Sequence, residues 1–375
     1  MGTGFSCGGW RCVAALRSLS CDAGHWSIRH ADSESRENTR KRADQPCEIC
    51  VVDELCAHEW YEHGVTRFFF ALLALSACAD PAASPEPDPM GVDAGVTPSR
   101  PRVRLATFNV RRFFDTECQT GACTPTDYEE LPTPQAFEAR TAQLAQAILS
   151  LEADAVALEE VETQACLDAL LLRLGPAMPF GVLGELGTPA SVDVAVLSKT
   201  AIEKVVGHRR LVNLARADGS LTSFSRELLE VQVRAVDGTK VVLFAAHFRS
   251  KVSDDPGRRL AEAVATRVIL DQRALDEPAA LVVLGGDLND SPGSPPLDAL
   301  TLNGGLLRAA ADLPVADQAT YFFNGRGEAI DHLLQASTAA GAVVPRSAHV
   351  WKDGRGWGGS DHYALTADYE LTSVP

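Results

Sequence analysis

A mixed α/β domain is the fold class this sequence predicts, and three observations predict it. From Arg102 onward, short apolar runs alternate with amphipathic stretches. Some neighbouring runs are separated by a helical pattern and others by hairpin-like links, so parallel and antiparallel pairing are both expected. The 375 residues are 46% apolar and 22% charged, which supplies a sizeable core and excludes a disordered or collagenous chain.

Taken in order, Val103–Val110 reads as a strand. Thr133-Pro134 reads as a helix start, because proline suits the first helical position. Phe137, Thr141, Leu144, Ile148 and Leu151 then fall on one helical face. Ala153–Leu158 is a buried strand, and Leu167, Leu170, Leu171 and Leu174 mark a helix that stops at Gly175. Val192–Leu197, Leu228–Arg234, Val241–Ala246 and Leu281–Leu284 are further strands, with a helix over Arg258–Ala274. Ile330–Leu334 and Ala364–Tyr369 complete the series, all within one domain of residues 102–375.

Acidic residues outnumber basic ones by 50 to 34, a formal net charge of −16. That excludes non-specific coating of nucleic acid or anionic membrane, which needs Lys and Arg to neutralise phosphates. An enzyme that meets nucleic acid locally, at a metal-bearing cleft, is not excluded.

The N-terminal part reads differently. Residues 1–64 hold six of the ten cysteines and show no periodicity; Cys47, Cys50, Cys56, His58 and His63 are zinc-type ligands in an irregular pattern. Val65-Thr66-Arg67, the apolar run Phe68–Leu75 and Ser76-Ala77-Cys78 have the three parts of an export signal, too short to span a bilayer. Leu75–Cys78 resembles the bacterial lipobox, which implies a lipid anchor on Cys78. The proline-rich segment 79–101 then reads as a flexible tether. Because such signals open a chain, residues 1–64 are expected to lie upstream of the true start. The expectation is an exported bacterial lipoprotein, monomeric, meeting the membrane only through its lipid. In an exported chain Cys118 and Cys123 are expected to form a small loop disulfide, and Cys166 to be a buried thiol.

Polar residues collect at the ends of the apolar runs: Thr107–Arg111, Leu158–Glu162, Ala246–Lys251, Leu284–Asp290, Ile330–His332 and Gly359–His362. Singly, each has an ordinary reading as a turn, a core histidine or a solvated carboxylate. Together Asn109, Glu160, Asp287, Asn289 and Asp361 are hard oxygen donors suited to Mg²⁺ or Ca²⁺, and His247 and His362 suit proton transfer.

This order of motifs resembles the endonuclease/exonuclease/phosphatase superfamily over Val103–Leu371. The strings His247–Lys251, Gly286–Pro295, Ile330–Leu333 and Ser360–His362 look most like its bacterial secreted nuclease branch. The resemblance implies a four-layer α/β sandwich, two packed mixed sheets flanked by helices, with the active site in a cleft at one edge. It implies a metal-dependent phosphodiesterase using Mg²⁺, with Mn²⁺ or Ca²⁺ as alternatives. Glu160 would be the principal metal ligand, with Asn109 beside it and Asp361 supporting. Asp287 and Asn289 would orient or activate water, and His247 would contact the phosphate and assist the leaving oxygen. Asp331 would hold His362, the second catalytic histidine. Arg111, Arg226 and Arg249 would face phosphate or substrate, Arg226 being open to an ordinary ion pair. Asp193 is a candidate partner for His247. Trp351 and Trp357 would either stack on a base, touch lipid or pin their glycine-rich loop.

The leading function is therefore nucleic-acid or other phosphodiester hydrolysis. A phosphomonoesterase or sphingomyelinase-like phospholipase would use the same residues. A catalytically dead binding protein is disfavoured because the whole catalytic set is retained.

Overall fold

A computed structural model describes residues 100–372 apart from Leu211. The signal segment, Cys78, the possible zinc ligands, residues 1–64 and all of the tether but Arg100 and Pro101 lie outside the described residues.

The chain first forms β1 (Arg102–Phe113), α1 (Pro134–Ser150), β2 (Ala155–Val161), α2 (Gln164–Leu174), β3 (Phe180–Gly184) and β4 (Asp193–Ser198). Then come β5 (Lys204–Gly207), β6 (Leu214–Ala215), β7 (Leu221–Thr222), β8 (Leu229–Arg234), β9 (Lys240–His247) and α3 (Pro256–Asp276). The last part holds β10 (Ala280–Asp287), α4 (Pro295–Thr301), β11 (Leu307–Arg308), β12 (Tyr321–Phe323), β13 (Arg326–Glu328) and β14 (Asp331–Gln335). It ends with β15 (Gly341–Val343), β16 (His349–Trp351) and β17 (Ala364–Leu371).

These strands make two mixed sheets. One runs β15-β17-β1-β2-β4-β3, with β16 also on β17; the other runs β11-β14-β10-β9-β8-β5. In each, one parallel pair lies at the centre, β1 with β2 and β9 with β10, because a helix connects its two strands. Side chains alternate across a strand, so each sheet has two faces. Leu105, Ala155, Val194, Val231, Leu243, Val283, Leu333 and Leu365 share one core between the sheets. Ala106, Phe108, Val156 and Leu158 pack outward on Leu144 and Ile148 of α1 and Leu167 and Leu170 of α2. Val242, Phe244, Val282 and Leu284 pack outward on Ala263 and Leu270 of α3 and Leu297 of α4. The result is helices, sheet, sheet, helices, the four-layer α/β arrangement expected.

The helices begin and end where their sequences dictate. Thr133 caps α1 by accepting a hydrogen bond from Ala136 N at 3.2 Å, with Pro134 in the first turn. Thr163 caps α2, and Gly175, at φ 55°, ends it. Each fully buried Leu or Ile on these helices contributes about 1.5–3 kcal/mol of transfer free energy. Trp351 and Trp357 pin their loop: they pack together at 5.4 Å, and Trp357 Nε1 donates to Ala147 O at 3.3 Å. Cys118 and Cys123 form a disulfide, and Cys166 is a buried free thiol.

Candidate active site

The inner stripes of both sheets are apolar for most of their length and turn polar at one end. On β1 the stripe Leu105-Thr107 continues to Asn109, and on β2 Ala155-Ala157 continues to Glu159, the residue paired with Asn109. On the other sheet Leu243-Ala245 leads to His247, Leu281-Val283-Gly285 leads to Asp287, and Leu333 is preceded by Asp331. Asp287 pairs with both His247 and Asp331, so these three form one row across adjacent strands. Strand periodicity alone thus brings one polar row from each sheet to the same rim of the inter-sheet core.

Glu160 reaches the rim by another route. Strict alternation would turn it outward toward the helices. After the pair Asn109–Glu159 the next is Phe113–Val161, so Val110, Arg111 and Arg112 oppose Glu160 alone. This bulge places Arg111, Arg112 and Glu160 at φ 54°, 41° and 69°. Such backbone costs about 1–3 kcal/mol per residue and persists only where surroundings fix it. Its effect here is to aim the Glu160 carboxylate inward: Oε1 accepts from Asn109 Nδ2 at 3.2 Å and Oε2 from Arg112 N at 2.8 Å.

Asn109 links the two sheets, since its Nδ2 also donates to Asp287 Oδ2 at 3.0 Å. Asp287 Oδ1 accepts from Asn289 N at 2.9 Å, while Asn289 Nδ2 donates to Phe248 O. Asp287 Oδ2 also lies 3.7 Å from His247 Nε2 and 3.9 Å from His362 Nε2. His362 Nδ1 faces both oxygens of Asp331, at 3.0 and 3.2 Å. The His362 backbone is held by Ser360, whose hydroxyl accepts from His362 N and donates to Asn109 O at 2.7 Å. Tyr321 stacks on the His362 ring at 4.7 Å.

Burial in this rim separates the protonation states. Burial disfavours a charge on His362, but Asp331, Asp287 and Glu160 outweigh it and push its pKa up to about 10. Burial, reinforced by Arg226 and His362, holds His247 well below the usual histidine value, so it is neutral. Burial and then Asp331 raise Asp287 to about 7, although His362 and the hydrogen bonds it accepts oppose this. Burial likewise raises Glu159 well above the carboxylate range; it accepts from Thr107 Oγ1 at 3.0 Å.

The structure thus gathers Asn109, Glu160, His247, Asp287, Asn289, Asp331 and His362. Asp361 and Arg111 sit at the rim, paired with each other at 3.5 Å, and Asp361 is not among the central hydrogen bonds. Arg226 makes no ion pair among the described residues; its Nε donates to Val192 O at 3.4 Å, and its charge acts on His247. Arg249 is turned to its own loop, with one guanidinium nitrogen on Ser253 O at 2.8 Å, and does not join the cluster. Asp193 is not the partner of His247: it accepts from Leu186 N and Ser191 Oγ at 2.9 Å, because β4 lies in the opposite sheet. The carboxylate beside His247 is Asp287. Glu159 and Ser360 lie inside the motifs without a role assigned by them, and Tyr321 lies outside the motifs; all three are parts of the site. Glu159 was foreseeable from its inward parity with Ala155 and Ala157.

The donor set fits a hard divalent cation. Four carboxylates, Glu159, Glu160, Asp287 and Asp331, gather round one charged histidine, and Asn109, whose Oδ1 accepts from Arg111 N at 2.9 Å, carries the one neutral oxygen beside Glu160. Asp287, Asp331 and His362 bring possible ligand atoms within 4.8 Å of one another. Because His362 Nδ1 is already committed to Asp331, that trio reads as proton-carrying, and Glu160 with Asn109 as the metal side.

Comparison with known proteins agrees with this geometry. The model of the endonuclease/exonuclease/phosphatase family matches residues 106–362. No curated protein matches the sequence. Among solved structures, an endonuclease/exonuclease/phosphatase from Bacteroides vulgatus is 18% identical with a TM-score of 0.52, covering 73% of this chain and all (100%) of that one. The human Nocturnin catalytic domain is 16% identical with a TM-score of 0.52, covering 73% and 96%. Truncated Caenorhabditis elegans TDP2 is 16% identical with a TM-score of 0.50, covering 72% and 97%. At these identities the likeness is one of fold, and the family match covers more than half of the sequence. The chain therefore belongs to the endonuclease/exonuclease/phosphatase family and is a divalent-metal-dependent phosphoesterase.

Proposed function

We propose that this phosphoesterase is a nuclease, exported and held at a membrane by a lipid on Cys78. The observation that carries the hydrolytic reading is the row His247–Asp287–Asp331 facing Asn109 and Glu160, with His362 charged beside it. Export rests on the sequence of residues 65–78.

Glu160 and Asn109 would hold Mg²⁺ (Mn²⁺ and Ca²⁺ are the alternatives), with Asp361 near enough to Arg111 to exchange partners. When bound, the ion neutralises charge that grows on the phosphate oxygens. Asp287, poised near 7, accepts a proton from the attacking water, and Asn289 and Asn109 fix its orientation. His362, held charged by Asp331, stabilises the phosphoryl oxygens and gives its proton to the leaving oxygen. Neutral His247 has no extra proton to give and contacts the phosphate through a hydrogen bond. The proton supplied to the leaving group therefore comes from His362 rather than from His247.

The test is turnover of single-stranded DNA, duplex DNA, RNA, sphingomyelin and inositol phosphates by the purified protein in Mg²⁺, Mn²⁺ or Ca²⁺, with chelator and His362→Ala controls. Strand cleavage lost in both controls supports a nuclease. Phosphate release without strand cleavage assigns a phosphomonoesterase. Membrane fractionation and N-terminal mass spectrometry test the anchor: a soluble product retaining residues before Cys78 refutes it.

A further inference from the structure

The segment between β1 and α1 is held more firmly than a connecting loop requires. The Cys118–Cys123 disulfide closes its tip. Glu129, buried below it, accepts from Gln119 N at 2.6 Å, Thr120 N at 2.7 Å and Thr120 Oγ1 at 2.5 Å. Gln119 in turn accepts from Ala190 N at 3.0 Å, and Phe114 packs on Ala190 and Val192. Tyr128 lies in this segment, next to the anchored Glu129 and against Phe114.

Tyr128 is 49% exposed. Phe114 meets its ring edge-on at 5.9 Å, and the Arg112 guanidinium lies 4.7 Å over its face. Arg112 is also the residue whose backbone N–H donates to Glu160 Oε2. The aromatic ring is therefore one residue removed from the metal side of the site and held rigidly beside it.

The acidic chain raises the question of how it would retain a nucleic-acid strand. With a net charge of −16 the phosphate backbone gains little from the protein as a whole. Stacking on an aromatic ring is insensitive to that charge, and a planar guanidinium on the far face strengthens it. We propose that Tyr128, backed by Arg112, is a stacking platform for a nucleobase adjoining the scissile phosphate of a single-stranded substrate. Duplex DNA does not offer such a face, because its bases are stacked on one another and show only their edges. This inference rests on the nuclease reading above.

The experiment is a cycle between protein and substrate. Initial rates are measured with the full-length protein in Mg²⁺ on a single-stranded oligonucleotide. They are repeated on oligonucleotides carrying one base-free residue, moved in turn to each side of the cleaved bond. Tyr128→Ala raises KM for the intact strand by about 5- to 150-fold, with the larger share of the effect in KM rather than kcat. One base-free position weakens the wild type by a similar factor and leaves Tyr128→Ala no worse. Tyr128→Phe, which keeps the ring, retains the wild-type KM, and thermal unfolding shows that each variant is folded. A folded Tyr128→Ala with unchanged KM overturns the platform, as does an equal loss from the base-free residue in both proteins. Wild-type hydrolysis of bis(p-nitrophenyl) phosphate without cleavage of any oligonucleotide overturns the nuclease reading itself.

Discussion

Replacing Asp331 by Asn keeps the shape of the row and removes the charge that holds His362 protonated. His362 stands at about 10 against an ordinary value near 6.5, a difference of about 5 kcal/mol at 1.36 kcal/mol per pH unit. Asp331 is the first of the groups that raise it, through both charge and hydrogen bond, and burial acts in the opposite sense. With Asp331 neutral, the largest group opposing burial is gone, Asp287 and Glu160 remain, and the pKa falls toward the ordinary histidine value. At the ordinary value the charged fraction at pH 8 is about 3%, so the loss from protonation alone is up to about 30-fold. At pH 5.5 that loss disappears and only the cost of poorer orientation is left. In wild type the charged form is present at every pH below about 10 and is lost as pH rises through it. The assay is a stopped measurement of bis(p-nitrophenyl) phosphate hydrolysis in saturating Mg²⁺ from pH 5.5 to 9. The ratio of wild-type to Asp331→Asn kcat/KM should grow steadily with pH, by up to about 30-fold between pH 5.5 and 8. Parallel profiles for the two proteins would show that Asp331 does not set the charge of His362.

Glu160→Gln removes the carboxylate aimed inward by the bulge and should lower kcat/KM by about 10²-fold or more, matching the effect of chelator; a variant still fully stimulated by Mg²⁺ would place the metal elsewhere. Asp287→Asn should raise the melting temperature in chelator at pH 8 while abolishing turnover. The buried Asp287 is raised to about 7, so its contribution to stability is present below about 4 and lost as pH rises through 7. The variant's advantage in calorimetry should accordingly vanish toward pH 4. Gly286→Ala should unfold or severely destabilise the protein, since a Cβ there collides with the Ala246 carbonyl on the adjoining strand; soluble protein with an unchanged melting temperature would contradict the β9–β10 register. Cys118→Ser should shift global unfolding little, because the disulfide closes a very short loop, but should raise KM for single-stranded substrate in kinetics.

Long periodic elements were the legible part of this sequence. The apolar faces of α1 and α3 and the near-continuous apolar runs of β9 and β10 are set by burial, which acts within a short window of residues. β3 was passed over because Phe-Gly-Val-Leu-Gly is glycine-weakened and sits at a sheet edge. α4 is only seven residues long and opens Pro-Pro, and the two-residue strands β6, β7 and β11 have no period to detect. The motifs located most of the site, because each polar string follows an apolar run. What they could not show was which neighbour faces inward: Glu159 by alternation and Glu160 by the left-handed bulge. Nor could they show that Arg249 prefers its own loop, or that Tyr128 stands beside Arg112. Those depend on contacts between segments far apart in sequence.

The polar rows at the rim are continuations of the same strands that hold the dry core, and this divides the chain by its tolerance of insertions. One residue added within β9, β10 or β14 would slide every later side chain to the opposite face and dismantle the row, whatever it did to folding. Residues added between β1 and α1, or at the turn between β12 and β13, would leave both stripes in phase. Scanning insertion libraries should therefore separate two classes of position. Within the strands activity disappears, whereas in those connections hydrolysis survives and the range of accepted substrates drifts. On this scaffold a change of substrate needs no change in the alternation that builds the catalytic row.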